Sequence, residues 1–235
     1  MTVQERVVIV TGAGGNLGAA VAAELNRQGA SLVCVDYAAK ALEALEKSLS
    51  PASGLLTLSG LDLTKLEDAQ KMAAAALDKF GRVDALVNTV GGFRMAPVVD
   101  ALDDWDFLMN INARAALATS AAVAPVMKQR GFGRIVHIAA GAGNKGGAEM
   151  SVYSAAKAAV MRITESLAEE LSADGVTVNC ILPGTIDTPQ NRAAMPDADT
   201  SRWVPPSDIA KVIAFLISDM AGAVTGAAIP VTRRS

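Results

Sequence analysis

Residues 11–18 decide the fold, and they read Thr11-Gly12-Ala13-Gly14-Gly15-Asn16-Leu17-Gly18. Before them, residues 6–10 form a largely apolar run that is typical of a buried parallel strand. After them, residues 17–28 are rich in small apolar side chains and stop at Gly29, as a helix does. A glycine-rich turn between strand and helix lets a pyrophosphate approach the free N–H groups of the helix N-terminus. The stretch therefore predicts a dinucleotide site.

The rest of the chain continues this alternation of strand and helix. Strands are predicted at 6–10, 31–35, 55–59, 83–88, 134–138, 176–182 and 227–231. Helices are predicted at 17–28, 38–49, 66–80, 103–130, 152–172 and 207–218, and a bend is expected in the longest near Pro125. The order indicates one α/β domain over residues 1–235, a Rossmann-like doubly wound parallel sheet with helices on both faces. Ligands should bind at the irregular segments 91–100, 141–150 and 185–206, which follow strands.

Composition excludes several other classes of protein. The 235 residues carry a formal net charge of −3 without a basic cluster, which argues against a nucleic-acid partner. No run reaches about 18 apolar residues, so no membrane span is expected. Residues 1–6 lack the features of a signal peptide, and a cytoplasmic location is the expectation.

Cysteine and histidine content predicts neither a disulfide framework nor a metal site. Cys34 and Cys180 lie in apolar runs and are interpreted as small buried side chains. His137, the single histidine, is interpreted as a core residue of a buried strand. No cluster of His, Cys, Asp and Glu has the spacing of metal ligands, so no metal is expected.

An acidic residue at the end of the second strand bears on the choice of dinucleotide. Asp36 is placed where a carboxylate can accept hydrogen bonds from an adenosine ribose and repel a 2′-phosphate. Gly15 and Tyr37 bring no compensating positive charge, so NAD is predicted over NADP. Asp62, after the third strand, has two open roles: contact with the adenine edge, or capping of the segment at Thr64.

A tyrosine and a lysine one helical turn apart predict acid-base chemistry. Tyr153 and Lys157 are spaced i, i+4 and share one helix face. An ammonium beside a phenol is expected to lower the pKa of the phenol from about 10, so that it can exchange a proton with a substrate.

These motifs, in this order and spacing, resemble the short-chain dehydrogenase/reductase family over nearly the whole chain. The residues that carry the resemblance are Thr11, Gly12, Gly18, Asp36, Asp62, Asn88, Thr89, Val90, Gly91, Asn112, Tyr153, Ser154, Ala155, Ala156, Lys157, Pro183, Gly184 and Thr188. The resemblance implies an NAD(P)-dependent oxidoreductase that acts on a small carbonyl, alcohol or imine-like compound. It also implies catalytic roles for Tyr153, Lys157 and Asn112, the last supporting a water-linked proton path.

Site residues beyond these three follow from the motifs and the resemblance together. Those expected to bind the dinucleotide are Gly12, Gly14, Gly15, Asn16, Leu17, Gly18, Asp36, Tyr37, Asp62, Leu63, Asn88, Val90, Gly91, Tyr153, Lys157, Pro183, Gly184, Ile186 and Thr188. Those expected to border the substrate are Ala140, Phe93, Met150, Met195 and Trp203. Thr188 could instead stabilise a turn, and the methionines and Trp203 could instead anchor loops in the core.

Three positions depart from the family pattern. Asn16 replaces a glycine, which is expected to be tolerated because Asn accepts a positive φ. The usual Asn-Asn-Ala-Gly is represented by residues 88–91, with threonine and valine at its centre. The catalytic serine of the family is Ala140 here, as in the dihydropteridine reductase branch, which residues 182–203 and 90–93 also resemble locally.

Two alternatives to the leading function, and an assembly, remain open at this point. The alternatives are a dihydropteridine-type reductase and a non-catalytic dinucleotide-binding protein. The long helices at 103–130 and 152–172 carry more small apolar residues than one buried face needs. Together with the resemblance, this predicts a homotetramer or homodimer.

Overall fold

Apolar runs without polar alternation form the central strands, because helices cover a parallel sheet on both faces. The computed structural model describes residues 3–50 and 54–233. Its strands are β1 Val7–Thr11, β2 Ser31–Asp36, β3 Leu55–Ser59, β4 Ala85–Asn88, β5 Gly133–Ile138, β6 Val176–Pro183 and β7 Ala228–Val231. Its α-helices are α1 Asn16–Arg27, α2 Ala39–Ser48, α3 Leu66–Phe80, α4 Trp105–Leu108, α5 Ala115–Arg130, α6 Gly141–Asn144, α7 Ser151–Leu171, α8 Pro189–Ala194 and α9 Pro206–Leu216.

The strands pair in one parallel sheet with the order β3-β2-β1-β4-β5-β6-β7. The order reverses between β1 and β4, which is the point where open α/β sheets have a crevice beyond the carboxyl ends of their strands. The predicted Rossmann-like α/β fold is therefore confirmed. The crevice lies between the segments that follow β1 and β4.

Helices cover the sheet in two apolar layers. On one face, Leu25 of α1 and Ile213 of α9 belong to a buried cluster that includes Val10 of β1. On the other face, Met72 of α3 and Val123 of α5 belong to a second buried cluster with strand residues. Both layers pack against the sheet beneath the crevice.

The glycine turn brings α1 into contact with the end of β1. A Cβ added at Gly18 would lie 2.1 Å from the carbonyl oxygen of Gly12, so only glycine allows this packing. Gly12 has φ +65°, a left-handed conformation that glycine adopts without strain. Asn16 is the first residue of α1 and has no positive φ, so the expected reason for its tolerance is wrong. The helix at this position places no such demand on the backbone, and binding of a dinucleotide with Asn16 in place remains a prediction.

The predicted helix 103–130 is interrupted, but not at Pro125. A 3₁₀ turn at Ala101–Asp104 leads into α4, a π-helical segment spans Met109–Arg114, and α5 then continues through Pro125. The side chain of Asn112 accounts for the irregularity, because its Nδ2 donates to the Leu108 carbonyl oxygen at 2.9 Å within the helix ladder.

Two segments predicted as irregular contain short helices. The segment 141–150 begins with α6, and the segment 185–206 contains α8 and a 3₁₀ turn at Thr200–Arg202. Thr188 favours α8, because its hydroxyl oxygen accepts a hydrogen bond from the backbone N–H of Asn191, and Pro189 follows it. Other predicted ends coincide with the observed ones or differ from them by at most two residues, as helix and strand ends commonly do. Along the chain at 3–50 and 54–233, no helix has the length and apolar content needed to cross a bilayer.

We predict that Gly18→Ala lowers the free energy of unfolding by about 3 kcal/mol, because the added methyl group would displace α1 from the turn. Gly81→Ala is the control, since Gly81 has φ +72° but no atom within 4 Å of an added Cβ. It should cost about 1 kcal/mol, the strain of a left-handed alanine. Urea unfolding of both variants measures the difference, and equal losses would contradict the role given to close packing.

Candidate active site

The side chains of the predicted catalytic group meet at the carboxyl ends of β4 and β5. Lys157 and Asn112 both lie beside Gly91, the residue that follows β4 by three positions. A Cβ added at Gly91 would lie 2.9 Å from Asn112 Oδ1 and 3.2 Å from Lys157 Nζ. Tyr153 lies one turn before Lys157 on α7, and Lys157 Nζ is 5.9 Å from the centre of its ring.

Lys157 is a buried ammonium that is held by the main chain of the sheet. Its Nζ donates to the carbonyl oxygen of Ile138, the last residue of β5, at 2.8 Å. Burial lowers the pKa of Lys157 to about 8, because the charged form loses its hydration. The lysine is therefore poised to change protonation state near neutral pH.

Tyr153 has a pKa that moves in the direction opposite to the sequence expectation. Burial raises the pKa of Tyr153 to about 12, because a phenolate is costly in an apolar environment. Lys157 does not outweigh this effect, since its ammonium lies 5.9 Å from the centre of the ring and donates to the Ile138 carbonyl oxygen rather than to the phenol oxygen. The structure thus presents Tyr153 as a protonated group, which can donate a proton. The ring is also packed edge-on against Phe93, with centroids 4.8 Å apart and an interplanar angle of 88°.

Asn112 positions the loop that follows β4. Its Nδ2 donates to the Gly92 carbonyl oxygen at 3.0 Å, and its Oδ1 accepts from the Gly92 N–H at 3.2 Å. The side chain is buried, and its amide is also bound to Leu108 within the π-helical segment. These contacts hold Gly91 against Lys157, which is a positioning role.

The glycine turn is tied to β4 through hydroxyl groups. The Thr11 hydroxyl donates to Asn88 Oδ1 at 2.5 Å, and the Thr89 hydroxyl lies 2.7 Å from the Thr11 carbonyl oxygen. Asn88 is buried, and Val90 beyond it is half-buried. Gly15, the N-cap residue before α1, has no side chain, and no side chain caps this helix. The backbone N–H groups of the first turn of α1 therefore lack side-chain partners.

Asp36 faces the glycine turn from the end of β2. Its Oδ2 accepts from the Gly14 N–H at 2.9 Å, and its Oδ1 accepts from the Ala38 N–H at 2.9 Å. Tyr37, next in the chain, is 74% exposed. The carboxylate lies where the second strand ends, and it forms no ion pair with a basic residue in the part of the chain that the structure describes.

Of the two roles expected for Asp62, the structure shows the contact with the segment at Thr64. Its Oδ1 accepts from the Thr64 hydroxyl at 2.6 Å and from the Thr64 N–H at 3.1 Å, and these bonds lower the pKa of Asp62. The helix itself begins later, at Leu66, so the carboxylate stabilises the turn before α3. Leu63 within this turn is buried. Contact with an adenine edge remains a prediction.

The segment after β6 is ordered by its own hydrogen bonds. Pro183 ends the strand, and the Gly184 N–H donates to the Val231 carbonyl oxygen at 2.9 Å. Ile186 pairs with Val204 in an isolated parallel bridge. The Thr188 hydroxyl caps α8, which is the turn-stabilising role left open for it. Binding of a dinucleotide by Gly184, Ile186 and Thr188 remains a prediction.

The residues expected to border the substrate differ in how much surface they offer. Phe93 is 57% exposed and contacts Tyr153, while Ala140 is half-buried beyond the end of β5 and offers no hydroxyl. Met150 is half-buried and Met195 is exposed. Trp203 is only 5% exposed, so it has little surface left to line a pocket and instead anchors its loop.

Three groups that form part of the site could not be predicted from the sequence. The Ile138 carbonyl that binds Lys157 is a main-chain group, and no sequence pattern marks it. Thr89 was noted only because it departs from the family pattern, and nothing in the sequence indicated that its hydroxyl would bind the Thr11 carbonyl oxygen. The Arg94 side chain helps to form a cavity of about 10 Å³ beside Tyr153, with Glu149 and Val152 also in its wall. No group of three residues with metal-ligating side chains is found at 3–50 or 54–233.

His137 is buried behind this site, as expected for a core residue. Its Nε2 lies 3.1 Å from the Ser120 hydroxyl, while its Nδ1 has no hydrogen-bond partner in the described part of the chain. Burial, with Lys157 adding to it, lowers the pKa of His137 to about 4, so the ring is neutral near neutral pH.

Comparison with known proteins gives a consistent result. The model of the short chain dehydrogenase family matches residues 6–199. The (2S)-[(R)-hydroxy(phenyl)methyl]succinyl-CoA dehydrogenase subunit BbsD of Thauera aromatica is 34% identical over 236 residues, covering 96% of this chain and 94% of that protein. A levodione reductase structure has a TM-score of 0.90 at 29% identity and covers 97% and 96% of the two chains. An NAD+-bound xylitol dehydrogenase structure has a TM-score of 0.90 at 28% identity and covers 97% and 98%. The fold, the crevice and this match over most of the chain agree, and the chain belongs to the short-chain dehydrogenase family.

Proposed function

We propose that this oxidoreductase is NAD(H)-dependent and acts on a small carbonyl, alcohol or imine-like substrate. The observation that carries the proposal is the convergence of Tyr153, Lys157 and Asn112 at the crevice that the glycine turn borders. A protein that only binds a dinucleotide has no need for a buried lysine next to a tyrosine that can donate a proton.

The residues around the crevice fit a dinucleotide. Gly12 and Gly18 let the turn pack closely against β4 and α1, and the uncapped N-terminus of α1, where Gly15 has no side chain, offers N–H groups to a pyrophosphate. Asp36 can exchange its bond to the Gly14 N–H for bonds to ribose hydroxyl groups. When bound, the nicotinamide would supply or accept the hydride. The similar xylitol dehydrogenase was solved with NAD+, which supports the choice of NAD.

Tyr153 and Lys157 divide the proton chemistry between them. Tyr153, with a pKa of about 12, can give its proton to the substrate atom next to the carbon that is reduced. The phenolate that remains is stabilised by the Lys157 ammonium, which lies close enough to act through a medium of low dielectric constant. In the oxidation direction, the same pair would remove the proton from an alcohol.

The substrate class follows from what borders Tyr153. Ala140 contributes no hydrogen bond to a substrate oxygen, so Tyr153 would be the main polar contact with the reacting atom. Phe93 adds apolar surface against the Tyr153 ring, and Met150, directly before α7, is half-buried. The missing hydroxyl also keeps a dihydropteridine-type reductase and a non-catalytic binder open as alternatives.

A screen of NADH oxidation with aldehydes, ketones and quinonoid dihydropterin separates these three functions. Turnover of an aldehyde or ketone favours the proposal, and turnover of quinonoid dihydropterin favours the dihydropteridine-type reductase. No turnover of any of them favours the non-catalytic binder.

We predict that NADH binds more tightly than NADPH, because the Asp36 carboxylate would repel a 2′-phosphate. Asp36→Ala should reduce the difference about tenfold, chiefly by weakening NADH binding. Calorimetric titration of both proteins with both cofactors measures it. Asp78→Ala, on the far end of α3, is the control for loss of one negative charge. Equal affinities for NADH and NADPH in the wild type would contradict the assignment.

We predict that Tyr153→Phe lowers kcat by about 10²- to 10⁴-fold, the usual contribution of a positioned acid or base, and leaves the Kd of NADH nearly unchanged. Ser154→Ala is the matched control, since this neighbouring hydroxyl is buried and has no partner in the described part of the chain. Steady-state kinetics and NADH titration of both variants provide the data. A Phe variant with the kcat of the wild type would remove Tyr153 from the mechanism.

We predict an alkaline decline of kcat/KM for reduction above a pH of about 8. Below this pH, Lys157 is charged and Tyr153 is protonated, which is the active combination. As the pH rises through the Lys157 pKa of about 8, the ammonium that stabilises the phenolate is lost, while Tyr153 keeps its proton. Rate measurements from about pH 6 to pH 10 show the decline, and the residual activity of Tyr153→Phe should lack it. A flat wild-type profile would speak against the lysine's role.

We propose a homotetramer or homodimer as the assembly. Trp105, Phe107 and Leu117 are apolar yet each is at least 40% exposed along the helical stretch from α4 to α5, which supports burial against a second copy. Light scattering at micromolar concentration should report two or four subunits, and Leu117→Glu should shift the balance toward smaller species. A wild-type monomer under these conditions would refute the assembly.

A further inference from the structure

A side-chain hydrogen bond joins two segments that the sequence separates widely. Asn16 Nδ2 donates to Gln190 Oε1 at 2.7 Å, across 174 positions of the chain. Asn16 opens α1, directly after the glycine turn, and Gln190 lies in α8, in the segment that follows β6. Both side chains are at the surface, so this contact is not a by-product of core packing.

The position of the two strands makes this contact a bridge across the crevice. β4 and β5 lie between β1 and β6 in the sheet. Neighbouring strands are about 4.8 Å apart, so the ends of β1 and β6 are separated by about 14 Å. The segment after β6 must therefore reach back past the carboxyl ends of two strands for Gln190 to meet Asn16.

An ion pair and hydrogen bonds within residues 186–192 stabilise α8 and the turn before it. Arg192 forms a two-point ion pair with Asp187, with distances of 2.6 and 2.9 Å. Asn191 donates from its backbone N–H to the Thr188 hydroxyl oxygen, and from its side-chain Nδ2 to the Ile186 carbonyl oxygen at 2.8 Å. These bonds are internal to the segment, so α8 and the turn before it would move as one body once the Gln190 side chain releases Asn16.

We propose that Asn16 and Gln190 form a clasp, which holds α8 over the pyrophosphate position of the dinucleotide and must open for the cofactor to leave. The proposal rests on the proposed function, because it places the pyrophosphate at the N-terminus of α1. Asn16 stands where the family pattern has a glycine, and a glycine would have no side chain with which to close the clasp. Asn16 and Gln190 are thus positioning residues of the cofactor site.

The first test is the rate of NADH release, measured by stopped-flow fluorescence. Gln190→Ala should release NADH about fivefold faster than the wild type, the effect of losing one neutral hydrogen bond. Asn16→Gly should do the same, and the double variant should be no faster than either single one. Gln70→Ala, an exposed glutamine of α3, is the control. The exchanged pair Asn16→Gln with Gln190→Asn keeps the combined side-chain length and should restore slow release.

The second test uses the protein without cofactor. Trypsin cleaves after arginine in segments that unfold locally, and Arg192, although exposed, lies in α8. The clasp holds α8 against α1, so opening the clasp favours the local unfolding that cleavage requires. Cleavage after Arg192 should be about fivefold faster in Gln190→Ala than in the wild type or in Gln70→Ala, because proteolysis follows the population of the open form. Mass spectrometry of the fragments identifies the site of cleavage.

The outcomes separate this proposal from the proposed function. If NADH does not bind to the wild type, the proposed function fails, and equal cleavage rates in the trypsin test would overturn the clasp as well. If NADH binds but leaves Gln190→Ala at the wild-type rate, the clasp is wrong while the dinucleotide site stands. If Asn16→Gly alone is faster, the asparagine acts directly on the cofactor and the clasp is again wrong.

Discussion

The close approach of α1 to the end of β1 is the constraint on which the crevice depends. Because the Gly12 carbonyl oxygen occupies the space that a side chain at Gly18 would need, the helix starts directly above the sheet. Its N-terminus then lies at the point where the strand order reverses, and the Thr89 hydroxyl fastens the same turn to β4. The close packing of Gly18 on Gly12 thus places the positive end of the helix dipole of α1 at the point where the strand order reverses, next to the end of β4.

The second requirement of the site is a charge that is kept away from water. Lys157 donates to a strand carbonyl and forms no ion pair with a carboxylate in the part of the chain that the structure describes. Behind it lies His137, which is neutral because of its own burial and so adds no second positive charge. An unpaired ammonium in such surroundings loses its proton more easily, and it also acts more strongly on any negative charge that develops nearby. Burial therefore both lowers the pKa of Lys157 and strengthens its attraction for a negative charge nearby.

The parts of the structure that follow local rules could be predicted from the sequence, and those that depend on distant contacts could not. Unbroken apolar runs identified the strands, since a strand covered on both faces has no polar side. The i, i+4 spacing placed Tyr153 and Lys157 on one helix face, but the direction of the Tyr153 pKa shift was wrong, because it depends on burial and on where the lysine points. The interruption at Met109–Arg114 was missed because it arises from a side chain that enters its own helix, whereas Pro125 is an obvious breaker that the helix accommodates. Gln190 lies within the stretch 182–203 that carried a local resemblance, but its contact with Asn16 gave no signal, since the two residues are 174 positions apart.

The π-helical segment sets the register between two packed helices. Leu108, before it, is buried in a cluster with Val152 and Ala156 of α7, while Val123, after it, packs in the layer with α3. A π-helical turn is closed by i→i+5 hydrogen bonds and holds one residue more than an α-helical turn, and each residue of an α-helix turns the chain by about 100°. Deleting one residue other than Asn112 within Met109–Arg114 would therefore restore a regular α-helical ladder and leave both packed faces in place, whereas a further insertion would turn α5 relative to α7. Unlike a surface loop, this stretch should be able to lose one residue through evolution but not to gain one.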